Sequence, residues 1–458
     1  MKILYICAGT GSYYCGTCLR DLNLIEGLRG DGHEVEVVTL YLPLFPEGEQ
    51  PEHEPPLFLG GINLYLQEKF WLFRMVPPLF DAFLNKSSLL RYIARKWGNT
   101  EASELGPLTL SMLQGNEGNQ RKEIQRFLLW LKERPPHDAV CFSNALLLGI
   151  APSIQQGINA PIFCTLQGEE PFLDDLPSPY REDCWDKLSD LASQVAVFIA
   201  VSSDYGTRMA RRLNLKKDQL SVVHNGIDLD GFRPEREPSQ KAMRGPVILF
   251  LARMCPEKGL GRLTEAFVQL HQRLRARKIK DRPRMVVAGA LTAADVDFVT
   301  EISASLSTAG LMDLATFHPN ISRNEKQRLL GTANLLVVPS DATESFGLYV
   351  LEALASGLPV LLPRHAAFPE ILKRSGGGVL YNPKDPNALV DKLEHLLQNP
   401  DQLQTLGQEG RAAVRASFSN KDMALAFAEV LERYLDRPSP ALNHPESAVS
   451  RPEMGDHP

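Results

Sequence analysis

Two glutamates with helical spacing, Glu344 and Glu352, are the first candidates for chemistry. They lie in the segment ESFGLYVLEALASGLPV, which predicts a short helix that Ser345 caps and Gly357 ends. Eight residues at helical rise would separate the two carboxylates by about 12 Å. That distance spans a ribose, a diphosphate and an attached sugar. Free backbone N–H groups at the helix N-terminus would favour a phosphate between the carboxylates.

Two cations, Arg253 and Lys258, complete the set of charged candidates. They follow the predicted strand Val247–Leu251 by two and seven residues. Open α/β sheets bind their ligands at the carboxyl ends of strands, where this loop should lie. Two cations there could neutralise the negative charge that develops on a departing diphosphate. Alone, the same pair would indicate no more than a solvated loop.

The elements that must position these residues alternate between apolar strands and helices, which predicts an α/β protein with two doubly wound domains facing a cleft. The first domain, 1–238, should contain the strands Ile3–Cys7, Val35–Leu40, Ala139–Phe142, Ile162–Leu166, Val195–Val201 and Leu220–Val223. The second, 245–419, should contain Val247–Leu251, Met285–Ala288, Leu335–Val338, Val360–Leu362 and Val379–Tyr381. We expect the polar segment Pro234–Pro246 to link them, a helix at about 420–437 to pack back on the first domain, and 438–458 to be disordered.

The composition of the 458 residues restricts the class of protein. A formal net charge of −6 argues against a nucleic-acid partner. Seven cysteines are an odd number, and the apolar run Ile3–Cys7 is too short for a secretory leader, which favours a cytoplasmic location. The aromatic and basic segment Leu64–Phe83 lies in an insertion, 41–135. This insertion could bind substrate and contact lipid at the inner membrane surface, or its helices could simply pack on their own domain.

Four motifs in the same order give the chain a family resemblance. They are AVSS at 200–203, VVHNGID at 222–228, LARMCPEKG at 251–259 and the Glu-x7-Glu segment at 344–352. Together they resemble the family 4 glycosyltransferases of group 1, which are retaining enzymes with two Rossmann-like domains in the GT-B arrangement. The resemblance implies transfer of a hexose from a nucleotide-diphosphate sugar, as co-substrate, to a hydroxyl group. The acceptor could be a glycan, a lipid-linked sugar or a small molecule.

The resemblance also implies roles for single residues. Arg253 and Lys258 would stabilise the leaving diphosphate, Glu344 would contact the donor sugar, and Glu352 would hold the ribose. The distal phosphate would meet the backbone around Ser345, Phe346, Gly347 and Leu348. His224 and Asp228 could contact substrate or be structural. Neither of the two Asp-x-Asp matches, at 228–230 and in a probable surface helix at 295–297, has further ligands nearby. We therefore expect no catalytic metal and no other cofactor.

The first domain departs from the family pattern at Gln167, where many relatives carry a histidine that reaches the sugar. Glutamine can form hydrogen bonds but cannot carry a proton at neutral pH. Glu169 or Glu170 could supply an acidic group instead, or could be solvated or salt-bridged. The turn Gly9-Thr10-Gly11 lacks the third glycine of a dinucleotide-binding motif, so NAD is weakly supported. The acceptor-side candidates are Gly9, Gly11, Tyr14, Arg20 and Gln167, with Tyr13 and Asp21 beside them.

A second departure is the motif Cys15-Gly16-Thr17-Cys18 at a helix start. It could serve packing or acceptor contact, or it could be redox-active or bind a metal if Cys141 and Cys164 approach it. Two rival functions follow from these features. One is a nucleotide-sugar epimerase, which would need no acceptor. The other is a non-catalytic nucleotide-sugar-binding protein with the cysteine pair as a redox switch.

Overall fold

The computed structural model describes residues 1–9, 16–40, 102–232, 245–279 and 281–436. Several predicted features therefore lie outside the described residues. They are Gly11, Tyr13, Tyr14, Cys15, the segment Leu64–Phe83, most of the linker Pro234–Pro246 and the tail 438–458.

Two parallel sheets, each of six strands within the described residues, form the two halves of the molecule. The first contains β1 Lys2–Cys7, β2 Glu34–Thr39, β3 Ala139–Phe142, β4 Ile162–Leu166, β5 Val197–Ala200 and β6 Leu220–Val222. The second contains β7 Val247–Leu251, β8 Arg284–Gly289, β9 Ala315–Pro319, β10 Leu335–Val337, β11 Val360–Pro363 and β12 Gly378–Tyr381. The strands are buried on both faces, which is why they appear as continuous apolar runs. The predicted α/β class is confirmed.

The strand order places a crevice in each sheet. The orders are β2-β1-β3-β4-β5-β6 and β12-β11-β10-β7-β8-β9, so the direction of winding reverses between β1 and β3 and between β7 and β10. The carboxyl ends of strands on either side of such a reversal separate and leave room for a ligand. The loop after β7 carries Arg253 and Lys258, and the segment after β10 carries Glu344. The predicted charged residues therefore lie at the switch point of the second sheet.

Helices cover both sheets. In the first half they are α1 Gly16–Gly30, α2 Ala102–Leu113, α3 Arg121–Lys132, α4 Ala151–Gly157, α5 Glu169–Asp174, α6 Tyr180–Leu191 and α7 Ser203–Arg212. In the second half they are α8 Leu260–Ala276, α9 Val296–Thr308, α10 Arg323–Thr332, α11 Leu348–Ala355, α12 Phe368–Ser375, α13 Ala388–Gln398 and α14 Pro400–Ser417. The described part of the insertion packs on its own half, where Phe127 and Leu131 of α3 are buried in the core. Among the described helices, none combines the length and apolar composition needed to cross a bilayer.

The last helix, α15 Asn420–Leu435, returns to the first half. The chain crosses beside Ile227, whose backbone N–H donates to Phe418 and whose carbonyl accepts from Asn420. Apolar side chains of α15, such as Phe427, then join the core cluster that contains residues of α1 and the first sheet. Gly27 of α1 permits the close approach, since a Cβ there would lie 2.5 Å from the Asn420 carbonyl oxygen.

Candidate functional site

A cavity of about 390 Å³ opens between the two halves, at the switch point of the second sheet. Its C-terminal wall includes Arg253, Lys258, Glu344, Ser345, Phe346, Gly347, Leu348 and Glu352. Its N-terminal wall is formed by Gly16, Thr17, Leu19, Gln167 and Asn225. The structure thus brings the charged residues predicted from the sequence, together with Gln167, to one cavity.

Lys258 and Glu344 form an ion pair across the switch point. Lys258 ends a 3₁₀ turn, Pro256–Lys258, and the next residue, Gly259, has a φ of +79°. A Cβ at Gly259 would lie 1.9 Å from the Pro339 carbonyl oxygen, so only glycine lets the turn approach the segment after β10. The hydroxyl groups of Ser340 and Tyr349 each donate to Glu344 Oε1 at 3.3 Å. Three donors therefore fix this carboxylate beside the cavity.

The start of the helix that follows differs from the prediction. Helix α11 begins at Leu348 after Gly347, whose φ is +98°, and no side chain caps it. Ser345 instead donates through Oγ to the carbonyl of Gln167 at 2.9 Å, while Ser202 Oγ donates to the Ser345 carbonyl at 2.7 Å. The expected cap at Ser345 is wrong because its hydroxyl bridges to the other half of the molecule. The segment from Glu344 to Gly347 is not helical, so the helical-rise argument for the carboxylate separation does not apply.

Glu352 lies inside α11 with 6% of its surface exposed. It forms an ion pair with Lys326 of α10, whose side chain is also largely buried and lines the same cavity. Lys326 is not among the residues predicted from the sequence. It occupies a polar helix in which neighbouring residues also carry charge, so no local pattern distinguishes it.

Arg253 is held by Asp295, which was predicted to lie on the surface. Its Nε donates to Asp295 Oδ2 at 3.1 Å, and this hydrogen bond raises the pKa of Arg253. Asp295 is 5% exposed and also accepts from Thr292. Burial acts to raise the pKa of Asp295, but the bonds from Arg253 and Thr292 outweigh it and hold the pKa below its usual value. The expected surface position of Asp295 is wrong, because the residue precedes α9 and points toward the loop after β7.

The VVHNGID motif joins the two halves. His224 Nε2 lies 2.5 Å from Glu370 Oε1 of α12, and Glu370 also accepts from the backbone and hydroxyl of Ser203. Asp228 accepts from Arg323 of α10 at 2.6 Å. His224 and Asp228 therefore have structural partners, whereas the neighbouring Asn225 lines the cavity. Within the described part of the chain, no three His, Cys, Asp or Glu residues are grouped to hold a metal ion.

The turn that presents Gln167 is organised by Glu169, which is buried. One carboxylate oxygen of Glu169 accepts from the backbone N–H groups of Gln167 and Gly168 at 3.0 and 2.9 Å and from the Tyr205 hydroxyl at 2.7 Å. The Gln167 side chain donates to the Ser143 carbonyl at 2.6 Å. Glu169 thus supports the turn from behind, and Glu170 forms an ion pair with Arg208. Neither glutamate is among the residues that line the cavity.

Arg20 and Asp21 lie behind the N-terminal wall in a buried polar network. Arg20 is 1% exposed and donates to the Tyr5 hydroxyl at 2.9 Å and to Asn225 Oδ1 at 3.4 Å. Asp21 accepts from Tyr5 at 2.7 Å, and burial raises the pKa of Asp21 to about 6 against the opposing effect of Arg20. Arg20 and Asp21 are therefore linked to the cavity through lining residues, Arg20 through Asn225 and Asp21 through Gln167, whose Nε2 donates to Asp21 Oδ1 at 3.4 Å. Gly9 follows β1 with a φ of +60° and is also absent from the cavity lining.

Five of the six described cysteines, Cys7, Cys18, Cys141, Cys164 and Cys184, are buried in the first half, and Cys255 is buried in the second. Cys18 is buried on α1, and Cys141 and Cys164 lie on the neighbouring strands β3 and β4. Cys141 and Cys164 belong to the core clusters on opposite faces of the sheet. Burial raises the pKa of both thiols well above its usual value, which disfavours the reactive thiolate.

The C-terminal half of the chain is similar to known glycosyltransferases. Residues 232–413 match the family model described as "Glycosyl transferases group 1". A D-inositol 3-phosphate glycosyltransferase of Frankia alni is 30% identical over 47% of this chain and 54% of its own length. An MMP alpha-(1->4)-mannosyltransferase of Mycolicibacterium hassiacum is 28% identical over 54% of this chain and 56% of its own length. The chain thus matches about half the length of these relatives, and the matches support the group 1 family.

Solved structures confirm the fold over nearly the whole chain. A sucrose-phosphate synthase from Thermosynechococcus elongatus has a TM-score of 0.63 at 19% identity, covering 94% of this chain and 99% of that one. The Anabaena protein HepE, in complex with UDP and glucose, also has a TM-score of 0.63, at 16% identity, covering 94% of this chain and 100% of that one. The protein has the two-domain, Rossmann-like GT-B fold.

Proposed function

We propose that the protein is a retaining glycosyltransferase that moves a hexose from a nucleotide-diphosphate sugar to a hydroxyl acceptor. The observation that carries the proposal is the convergence of Arg253, Lys258, Glu344 and Glu352 on one cavity at the switch point of the second sheet. They are the residues for which the resemblance to family 4 implies contact with the donor. The similarity to group 1 glycosyltransferases supports the same activity class.

The donor lies along the C-terminal wall. Glu352 accepts hydrogen bonds from the ribose, and Glu344 accepts them from hydroxyl groups of the sugar. The distal phosphate meets the N-terminus of α11 at Gly347 and Leu348, where free backbone N–H groups favour an anion. Arg253 and Lys258 stabilise the charge that grows on this phosphate as the sugar departs. UDP in the complex of the HepE protein supports a nucleotide in this fold.

The transfer needs no proton carrier from the N-terminal wall. The bond between the anomeric carbon and the phosphate oxygen breaks, and its electron pair stays on the phosphate. The acceptor oxygen forms the new bond on the same face, and its proton passes to the departing phosphate. Gln167 can orient the acceptor or the sugar through hydrogen bonds, but its amide takes no part in proton transfer.

The proposal includes two further properties. Transfer is metal-independent, because Arg253 and Lys258 supply the positive charge, so turnover should persist in EDTA. The location is the cytoplasm, which is supported by Cys7, Cys141, Cys164, Cys184 and Cys255, none of which forms a disulfide. The assay compares a glycan, a lipid-linked sugar and a small molecule as acceptors. Activity with the lipid-linked sugar alone would favour contact with the inner membrane surface.

A thermal-shift screen of nucleoside diphosphates and their sugars tests the function. A ligand at 100 times its Kd should stabilise the protein by about 2.7 kcal/mol. The donor identified in this way is then incubated with candidate acceptors, and the anomeric configuration of the product is read by NMR. Retention of configuration is expected. Absence of a shift with every nucleotide, or an inverted product, would contradict the proposal, and sugar interconversion without an acceptor would indicate an epimerase instead.

A further inference from the structure

Lys326 lines the cavity but is not one of the four charged residues predicted from the sequence. It projects from α10, whose first turn is fixed by the Ser322 hydroxyl accepting from the Glu325 N–H at 3.2 Å. One turn earlier on the same helix, Arg323 is anchored to Asp228 of the other half. The helix is thus held at its N-terminal end, and Lys326 is directed onto Glu352 of α11.

The ion pair between Lys326 and Glu352 is so buried that either charge would be destabilising without its partner. The side chains of Lys326 and Glu352 are 17% and 8% exposed. A buried carboxylate without a counter-charge is strongly unfavourable, so Lys326 compensates Glu352 and fixes its rotamer. Lys326 bonds Oε1 of Glu352. Among the described residues, no donor bonds the other oxygen, Oε2, so this atom remains available to a ligand in the cavity.

Lys326 also has donors left for a ligand. An ammonium group carries three N–H donors, and only one of them is used by Glu352. The pair therefore presents an acceptor, Glu352 Oε2, next to ammonium donors on the wall of one cavity. A vicinal diol is the complementary group, since each of its hydroxyls can donate one hydrogen bond and accept another. A ribose carries such a diol at its 2′ and 3′ positions.

We propose that Lys326 completes a ribose-binding pair with Glu352, donating to the 2′-hydroxyl of the diol while it orients the carboxylate that accepts from the 3′-hydroxyl. The inference rests on the proposed function, in which Glu352 binds the ribose. It assigns to Lys326 a role in nucleotide affinity and in selection of ribose over deoxyribose. Lys326 pairs with Glu352, whereas Lys258 pairs with Glu344 beside the sugar, so Lys326 should affect KM for the donor more than kcat.

The test compares ribose and 2′-deoxyribose forms of one nucleoside diphosphate by isothermal titration calorimetry. The wild-type protein should prefer the ribose form. In Lys326→Met, affinity for the ribose form should fall by roughly 10- to 100-fold, the range expected for one unpaired buried polar group. Affinity for the deoxy form should fall less, because that form lacks the hydroxyl to which Lys326 donates and loses only the orientation of Glu352. Lys326→Arg should retain part of the preference. Arg328→Met is the matched control, since Arg328 lies on the same helix with an exposed side chain and only a 3.8 Å contact to Glu325.

Thermal unfolding without ligand shows which variants fold, and Lys326→Gln, which keeps a donor, replaces Lys326→Met if that variant does not. An unchanged ribose-to-deoxyribose affinity ratio in the folded variant would overturn the inference, even with the proposed function intact. Equal binding of both forms by the wild-type protein would overturn it as well. If no nucleoside diphosphate binds the wild-type protein, the proposed function itself fails. These outcomes are therefore distinguishable.

Discussion

The two walls of the cavity differ in how they use charge. On the C-terminal wall, charged side chains from separate elements reach the cavity, and each has an opposite partner: Arg253 with Asp295, Lys258 with Glu344, and Lys326 with Glu352. On the described N-terminal wall, the lining residues carry no formal charge. The charged residues Arg20, Asp21 and Glu169 lie behind it. A wall of fixed, paired charges suits a diphosphate leaving group, and an uncharged wall suits a hydroxyl acceptor.

The largest effect on kcat is expected from a change on the charged C-terminal wall, at Lys258. Lys258→Ala removes a preorganised positive charge from the leaving phosphate and should lower kcat by roughly 10²- to 10³-fold. The Tm should show that the variant remains folded, since the change affects a partly exposed side chain at the cavity. Steady-state kinetics with the identified donor provide the measurement, and near-normal kcat would refute the role of Lys258.

Gln167→Ala is the matched variant on the opposite wall. It removes the hydrogen bonds to the Ser143 carbonyl and to Asp21 Oδ1 and any bond to the substrates, without removing a charge. Its effect on kcat should be about fivefold, because a neutral hydrogen bond contributes about 1 kcal/mol. A loss equal to that of Lys258→Ala would mean that the two walls contribute alike to the transition state.

A smaller effect concerns pH. The pKa of Asp21 is raised from 3.8 to about 6 by burial, so the folded protein keeps a proton that the unfolded chain has lost at pH 5. This contribution to stability is present below pH 3.8 and is lost as pH rises through 6. It should amount to about 3 kcal/mol. Denaturant unfolding of the wild-type protein and Asp21→Asn between pH 4 and 7 should show this difference, and parallel pH profiles would contradict it.

The contribution of Asp295, on the C-terminal side, to stability should depend on pH with the opposite sign. Its folded-state pKa is lowered, so its contribution is present above its unfolded pKa and is lost as pH falls through the folded value. Relative to Asp295→Asn, the wild-type protein should therefore lose stability on acidification below pH 4. The same unfolding series measures both carboxylates, and a loss of the Asp295 contribution at rising pH would be the wrong sign.

The sequence predicted what depends on local pattern. Strands such as Ala139–Phe142 and Val247–Leu251 were predicted with their observed bounds, because a strand buried on both faces is a continuous apolar run. Edge strand β9 was missed, since ATFHP is only partly buried and offers no such run. The switch-point loops followed from the strand ends, and with them the positions of Lys258 and Glu344.

Ion pairs and hydrogen bonds between elements that are distant in sequence could not be predicted from local pattern. Asp295 and Lys326 reach their partners from elements that are distant in sequence, and an ion pair between such elements leaves no periodic signal. Ser345 shows the converse case. Its local pattern predicted a helix cap, but Ser345 forms hydrogen bonds with Gln167 and Ser202 instead. Long-range pairing, more than the elements themselves, therefore determines the site.

The most direct test of the account is a crystal structure with the nucleoside diphosphate that the screen identifies. We predict ribose hydroxyls within hydrogen-bond distance of Glu352 and the distal phosphate at the N-terminus of α11 beside Lys258. A nucleotide bound with its phosphates at Glu352, or bound instead in the separate cavity lined by Val247, Leu270 and Glu394, would contradict the assignment of the donor site.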